Sequence, residues 1–177
     1  MPISSSDIHG EINGQVARLF TLKSASGLQA TISELGAHLT SVVWTNEDGS
    51  LQELTIGHDS FDGWANNSSA YLGATVGRFG NRIAHGEFSI GDNCYTLATN
   101  NAPADIPCHL HGGLEGLHTK IWHGEILTEE NRLGVKLTLT CPFLAPSLLK
   151  KNGNGRFTTS PPATDMPSSC IVWPPFK

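Results

Sequence analysis

The chain has 177 residues, of which 38% are hydrophobic and 15% charged, enough apolar material for one domain core or for part of a larger one. A net charge of −5 excludes the basic footprint that nucleic acid or an anionic membrane requires, so a neutral, polar small ligand fits better. The 19 glycines and 10 prolines favour turns and short strands over long helices.

The opening MPISSSDIHGEING lacks the basic and apolar regions of a signal peptide. No window of the sequence approaches the length of a bilayer span. Cys94, Cys108, Cys141 and Cys170 form no CxxC pair, so free thiols and a cytoplasmic location are expected. Asn66 and Asn67 match the glycosylation acceptor pattern, which carries little meaning without secretion. In chain order, strands are expected at 17–22, at 28–35, where LQATISEL alternates, and at 38–44, which is rich in β-branched residues. NEDGS (46–50) is a hairpin turn in which Asp48-Gly49 supplies positive φ, and LQELTIG is the return strand. HDSFDGWANNSSA reads as a loop with one helical turn opened by Asp59 or Ser60. GEFSIGDNCYTL gives a hairpin around Gly91, Asp92 and Asn93, and strands near 120–127 and 133–141 flank a polar turn at 129–132. Apart from that one helical turn, every expected regular element is a strand, which points to an all-β antiparallel sandwich or barrel.

Two runs hold most of the side chains capable of chemistry, GRFGNRIAHG (77–86) and HLHGG (109–113). Arg78 and Arg82 cannot both enter a core without partners, because a buried unpaired guanidinium is too costly. Either Asn81 and Arg82 donate to a hydroxyl-rich ligand, or Arg78 and Arg82 are structural pins for carbonyls or carboxylates. His109 and His111 alternate, so on an extended segment they would point the same way. That leaves open a metal pair completed by His118 or His123, a proton-transferring histidine, or a structural role. Glu34, Glu87 and Glu115 read as solvated, as do His9, His38 and His58. No GxGxxG, Walker, GxSxG or HExxH motif is present.

The succession ISELGAHLTSV, DGSLQELTIGHDSFDGW, YLGATVGRFGNRIAHGEFSIGDNCYTL and LHGGLEGLHTKIW closely resembles the amino-terminal half of the aldose 1-epimerases, also called galactose mutarotases, over roughly residues 17–141. NRIA followed by LHGG at this distance is a specific combination. The resemblance implies an antiparallel β-sandwich of the galactose mutarotase-like type with an open sugar cleft. It implies interconversion of the α and β anomers of a free aldohexose such as glucose or galactose, by general acid–base ring opening with no metal and no organic cofactor. Carried over, Asn81 and Arg82 become sugar-hydroxyl binders and His111 the catalytic histidine, while His109 matches no family position.

The family's second histidine, in an NHSYFNL-like motif, and its downstream aspartate and glutamate base have no counterpart here. The family pattern stops after LTLTCP, so residues 1–142 read as the amino-terminal part of a truncated sandwich domain. Residues 143–177 read as a non-family, disordered tail. Impaired epimerase activity is the expectation, with a non-catalytic carbohydrate-binding relative or a hexose-6-phosphate 1-epimerase as alternatives. The expected partner is a small aldose, with no nucleic acid and no membrane, and no oligomeric state is implied.

Overall fold

Short alternating segments punctuated by turn residues fold into antiparallel strands, as their two-residue period requires. The structure is a computed structural model that describes residues 3–67, 70–129, 132–140, 149–151, 157–158 and 169–172. It divides into two units: Met1–Thr75 with His118–Leu139 and Ser168–Lys177, and Val76–Leu117 with Thr140–Pro167.

The first unit is built on a five-stranded meander, β1 (Ile3–Ile12), β2 (Gln15–Lys23), β3 (Leu28–Ser33), β4 (Leu39–Thr45) and β5 (Leu51–Glu53). The sequence reading missed β1, a polar edge strand with no hydrophobic alternation. It is held by a ladder running from Ile3↔Lys23 to Ile12↔Gln15 and interrupted by a bulge between Ile8 and Gly10. The turn into β2 is Asn13-Gly14, with φ of 51° and 75°, the chemistry a tight hairpin demands. The turn between β4 and β5 forms as expected: Asp48 Oδ1 accepts from the Ser50 N–H at 2.9 Å, and Gly49 has φ 82°.

On one face of this sheet Phe20 lies opposite Ile32 and Leu22 opposite Ala30, all four buried. A hairpin of β10 (His123–Glu129) and β11 (Arg132–Leu139) packs on that face with Leu133, Val135, Leu137 and Leu139 buried at alternate positions. The approach is close at Gly124, where a Cβ would lie 2.3 Å from the Phe20 ring. This is sandwich packing driven by the apolar faces of two sheets. A second cluster joins Ala17, Leu35 and Trp64, with Trp64 delivered by the short helix α1 (Phe61–Ala65). Ser60, one of the two expected caps, accepts from the Gly63 N–H at 3.2 Å.

Glu34 corrects the expectation of a solvated carboxylate. It is buried, with Oε2 accepting from the Arg18 N–H and Oε1 from the Gly124 N–H, both at 2.9 Å. Two backbone donors replace the lost water, and the side chain ties β2 to β10. His38, also expected at the surface, is fully buried against Trp64.

The second unit contains β6 (Arg82–Ala84) paired with β9 (Cys108–Leu110), and the hairpin of β7 (Glu87–Ile90) and β8 (Asn93–Thr96). Most of 143–177, the segment read as a disordered tail, lies outside the described residues. Its described parts are the short strands β12 (Leu149–Lys151), β13 (Phe157–Thr158) and β14 (Ser169–Val172), which pair with β8, β12 and β11 respectively. Among the described residues no helix is long and apolar enough to cross a membrane.

Candidate functional site

The β6–β9 pair brings the GRFGNRIAHG and HLHGG runs side by side, with Arg82↔Leu110, Ile83↔His109 and Ala84↔Cys108 in register. Between them the β7–β8 hairpin reverses the chain, and its exit is tied to its entry by the Leu97 N–H donating to the Gly86 carbonyl at 2.7 Å. Beyond β9 the chain turns at once. His111, Gly112 and Gly113 have φ of 52°, 88° and 79°, a left-handed run that explains the paired glycines. Gly112 has a second constraint, since a Cβ there would lie 1.7 Å from the Gly77 carbonyl oxygen. That oxygen also accepts from the Leu117 N–H at 3.1 Å, so the two glycine-rich loops are joined main chain to main chain.

Asn81 and His111 hold each other. The His111 N–H donates to the Asn81 carbonyl at 3.0 Å, and the Asn81 N–H donates to His111 Nδ1 at 2.9 Å. Because Nδ1 accepts, the neutral imidazole carries its proton on Nε2. Partial burial, and secondarily the positive charge of Arg82, lower the His111 pKa from 6.5, so the ring is neutral near pH 7.

Arg82 is exposed and held by two amide oxygens, its Nε donating to Asn101 Oδ1 at 3.2 Å and its Nη1 to Asn81 Oδ1 at 3.3 Å. Neutral acceptors orient the guanidinium and leave its charge intact. Asn101 is itself fixed by a backbone bridge to Cys108, whose N–H donates to the Asn101 carbonyl at 2.7 Å. Its neighbour Asn100 clamps Leu110, accepting from the Leu110 N–H at 2.7 Å and donating to the Leu110 carbonyl at 3.1 Å. The sequence reading singled out neither asparagine. The available signal was an Asn-Asn pair lying between the two anchor runs.

Asn81, Arg82 and His111 thus come together, whereas His109 does not join them. His109 is buried and donates from Nδ1 to the Ala98 carbonyl at 2.8 Å. The expectation that both histidines point the same way fails because the strand ends at Leu110 and positive φ re-aims His111. Of the third ligands considered for a metal, His118 is buried with its ring 4.8 Å from that of Tyr71. His123 is exposed, its Nε2 3.6 Å from Glu125. Among the described residues no group of three or more His, Cys, Asp or Glu side chains could hold a metal ion. Arg78, His85 and Glu87 are exposed. In the first unit, Val16, Arg18, Glu34, Ile121, Trp122 and His123 line a concavity of about 450 Å³. Its buried carboxylate, Glu34, accepts two backbone N–H groups, one at each oxygen.

A family profile described as "Aldose 1-epimerase" matches residues 18–142. The chain belongs to the aldose 1-epimerase family. It is 33% identical over 120 residues to the aldose 1-epimerase of Escherichia coli K12, covering 68% of this chain and 33% of that protein. To the galactose mutarotase of Bos taurus it is 31% identical over 115 residues, covering 65% of this chain and 31% of the relative. The chain therefore spans about a third of the length of the curated relatives it matches. The solved structure of galactose 1-epimerase from Lactobacillus acidophilus superposes with a TM-score of 0.68 at 23% identity, covering 80% of this chain and 40% of that one. The fold is all-β, of the galactose mutarotase-like sandwich type.

Proposed function

We propose that this chain binds a free aldohexose such as glucose or galactose and supplies part of the machinery that interconverts its anomers. One observation carries the reading. The reciprocal hydrogen bonds between Asn81 and His111 join, in one place, the two motifs through which the chain resembles its family. On this reading the Asn81 side chain and Arg82 bind sugar hydroxyls, and His111 faces the ring oxygen.

Mutarotation requires the anomeric hydroxyl to lose its proton as the C1–O5 bond breaks and the ring oxygen gains one. Rotation of the open aldehyde and reclosure then return both protons. His111, neutral and protonated at Nε2, donates a hydrogen bond to the ring oxygen where negative charge develops, the most useful place for a fixed donor. The resemblance implies a glutamate as the general base. The glutamate implied by the resemblance has no counterpart in these 177 residues, and neither does an NHSYFNL-like motif. Loss of one member of an acid–base pair costs about 10²–10⁴-fold, so the chain is expected to bind sugar and turn it over slowly. The second reading is a carbohydrate-binding relative without turnover. The cytoplasm is the proposed location.

Polarimetry of α-galactose, with and without the purified chain, tests the proposal alongside ligand-observed NMR of galactose binding. Binding that is lost in Arg82→Ala, with mutarotation only slightly above buffer, is the expected result. Binding with no acceleration at all selects the carbohydrate-binding reading, and preference for galactose 6-phosphate selects a sugar-phosphate epimerase. A fast rate abolished by His111→Ala would overturn the proposed impairment, and failure to bind any aldose would overturn the whole reading.

A further inference from the structure

We propose that Asn101 is a positioning residue for Arg82, fixing the guanidinium beside His111 without cancelling its charge; the sugar-binding consequence rests on the reading above. Exposed arginine side chains sample many rotamers, and ordering one costs conformational entropy. A ligand that must order Arg82 itself would bind correspondingly more weakly. Here the ordering is built in. Asn101 Oδ1 takes Nε, the donor nearest the stem, and Asn81 Oδ1 takes Nη1, one of the two terminal nitrogens. The second terminal nitrogen, Nη2, makes no hydrogen bond among the described residues.

Asn101 can do this because it does not move freely. Its backbone is locked to Cys108 from both sides: the Cys108 N–H donates to the Asn101 carbonyl, and the Asn101 N–H donates to the Cys108 carbonyl at 3.3 Å. Its Oδ1 also accepts from the buried Cys108 Sγ–H at 3.6 Å. Cys108 opens β9, the strand that ends one residue before His111, and it pairs with Ala84 of β6, the strand that begins with Arg82. Asn101 is thus anchored to the same two strands whose ends it serves. A carboxylate at this position would hold Arg82 more strongly but form an ion pair with it, offsetting the positive charge offered to a sugar hydroxyl. The amide supplies the acceptor oxygen without the charge. The downward shift of the His111 pKa has Arg82 as one of its causes, consistent with a guanidinium held close to the ring.

The test compares Asn101→Ala and Asn101→Asp with the native chain by three NMR readouts, namely the Arg82 Nε–H resonance, the titration of His111 and galactose binding. Asn101→Ala is expected to broaden or exchange away the Arg82 Nε–H signal, raise the His111 pKa and weaken galactose binding about fivefold or more. Asn101→Asp is expected to keep the Nε–H signal sharp while raising the His111 pKa and weakening binding, a split that a purely structural role would not produce. An Arg82 Nε–H signal and a His111 titration unchanged in folded Asn101→Ala would overturn the proposal. If the native chain binds no galactose, the sugar-binding reading fails, and the Nε–H and titration comparisons still decide the role of Asn101. Should Asn101→Ala fail to fold, Asn101→Asp retains the acceptor and decides by its His111 titration alone: an unchanged value overturns the proposal.

Discussion

A methyl group added at Gly112 would meet the Gly77 carbonyl oxygen at 1.7 Å, whereas one added at Gly14 would meet nothing within 4 Å. Both residues have positive φ, 88° and 75°. Alanine at Gly14 therefore costs the backbone penalty alone, ~1 kcal/mol. Alanine at Gly112 adds a clash that only movement of the main chain relieves, for a total of ~2–4 kcal/mol. Urea unfolding of the two variants measures the difference. Gly112→Ala should also weaken galactose binding, because it separates the loops that carry Asn81 and His111, while Gly14→Ala should leave binding intact. Equal stability losses in the two variants would mean that the close approach of the loops carries no energetic weight. The same residue-scale logic separates the two histidines of HLHGG. Sequence alternation suggested equivalence, but one ring is spent on the Ala98 carbonyl and the other is re-aimed by a left-handed residue that spacing cannot reveal.

Elements in this fold are tied by buried polar groups as well as by apolar faces, and Glu34 is a clear case. Its two oxygens each satisfy one backbone donor, Arg18 N–H in β2 and Gly124 N–H in β10. Glu34→Gln keeps one acceptor and turns an NH₂ group toward the other donor. Glu34→Ala leaves both donors without their partner, a loss of ~3 kcal/mol or more, with Gln costing about half as much. Native-state hydrogen exchange supplies the specific readout: the Arg18 and Gly124 amides should both exchange faster in Glu34→Ala. Unaltered protection of both would rule the tie out. Element placement was legible wherever turn chemistry or a cap spoke locally, as at Asp48-Gly49, at Gly91-Asp92 and at Ser60 ahead of α1. The first strand escaped because an edge strand need bury no side-chain face, although Asn13-Gly14 already marked its hairpin. Glu34 and the Asn100-Asn101 pair escaped for a different reason. Their roles are long-range hydrogen bonds to main-chain groups or to Arg82, and residue type does not encode such partners.

Over the whole molecule, the imidazoles His9, His38 and His111 all have pKa values lowered from 6.5. His38 is the most constrained. It is fully buried, its Nδ1 lies 2.5 Å from the Leu35 carbonyl and so carries the proton, and Nε2 has no partner among the described residues. Burial is the main cause of its shift, opposed by the Leu35 carbonyl and reinforced by His9 and His58. The unfolded chain binds protons at these sites more readily than the native one, so stability rises with pH through this window. The contribution is fully present above the unfolded value of 6.5 and is lost as pH falls below it toward the depressed native values. A carboxylate governs a second, lower window. At Glu53, desolvation opposes ionisation but is outweighed by hydrogen bonds from the Ser41 and Thr55 hydroxyls and from the Val42 and Thr55 N–H groups, which hold its pKa at about 2 rather than 4.5. Its share therefore survives the first decline and is lost only as pH falls from 4.5 toward 2. Urea unfolding across about pH 8 to 3 should then show a plateau, a decline beginning near 6.5 and a further decline below 4.5. His38→Asn keeps a donor in place of Nδ1–H and removes the titrating group, so it should flatten the first decline and leave the second unchanged. A first decline as steep in His38→Asn as in the native chain would assign the acid sensitivity to His9 and His111, and remove His38 from the account.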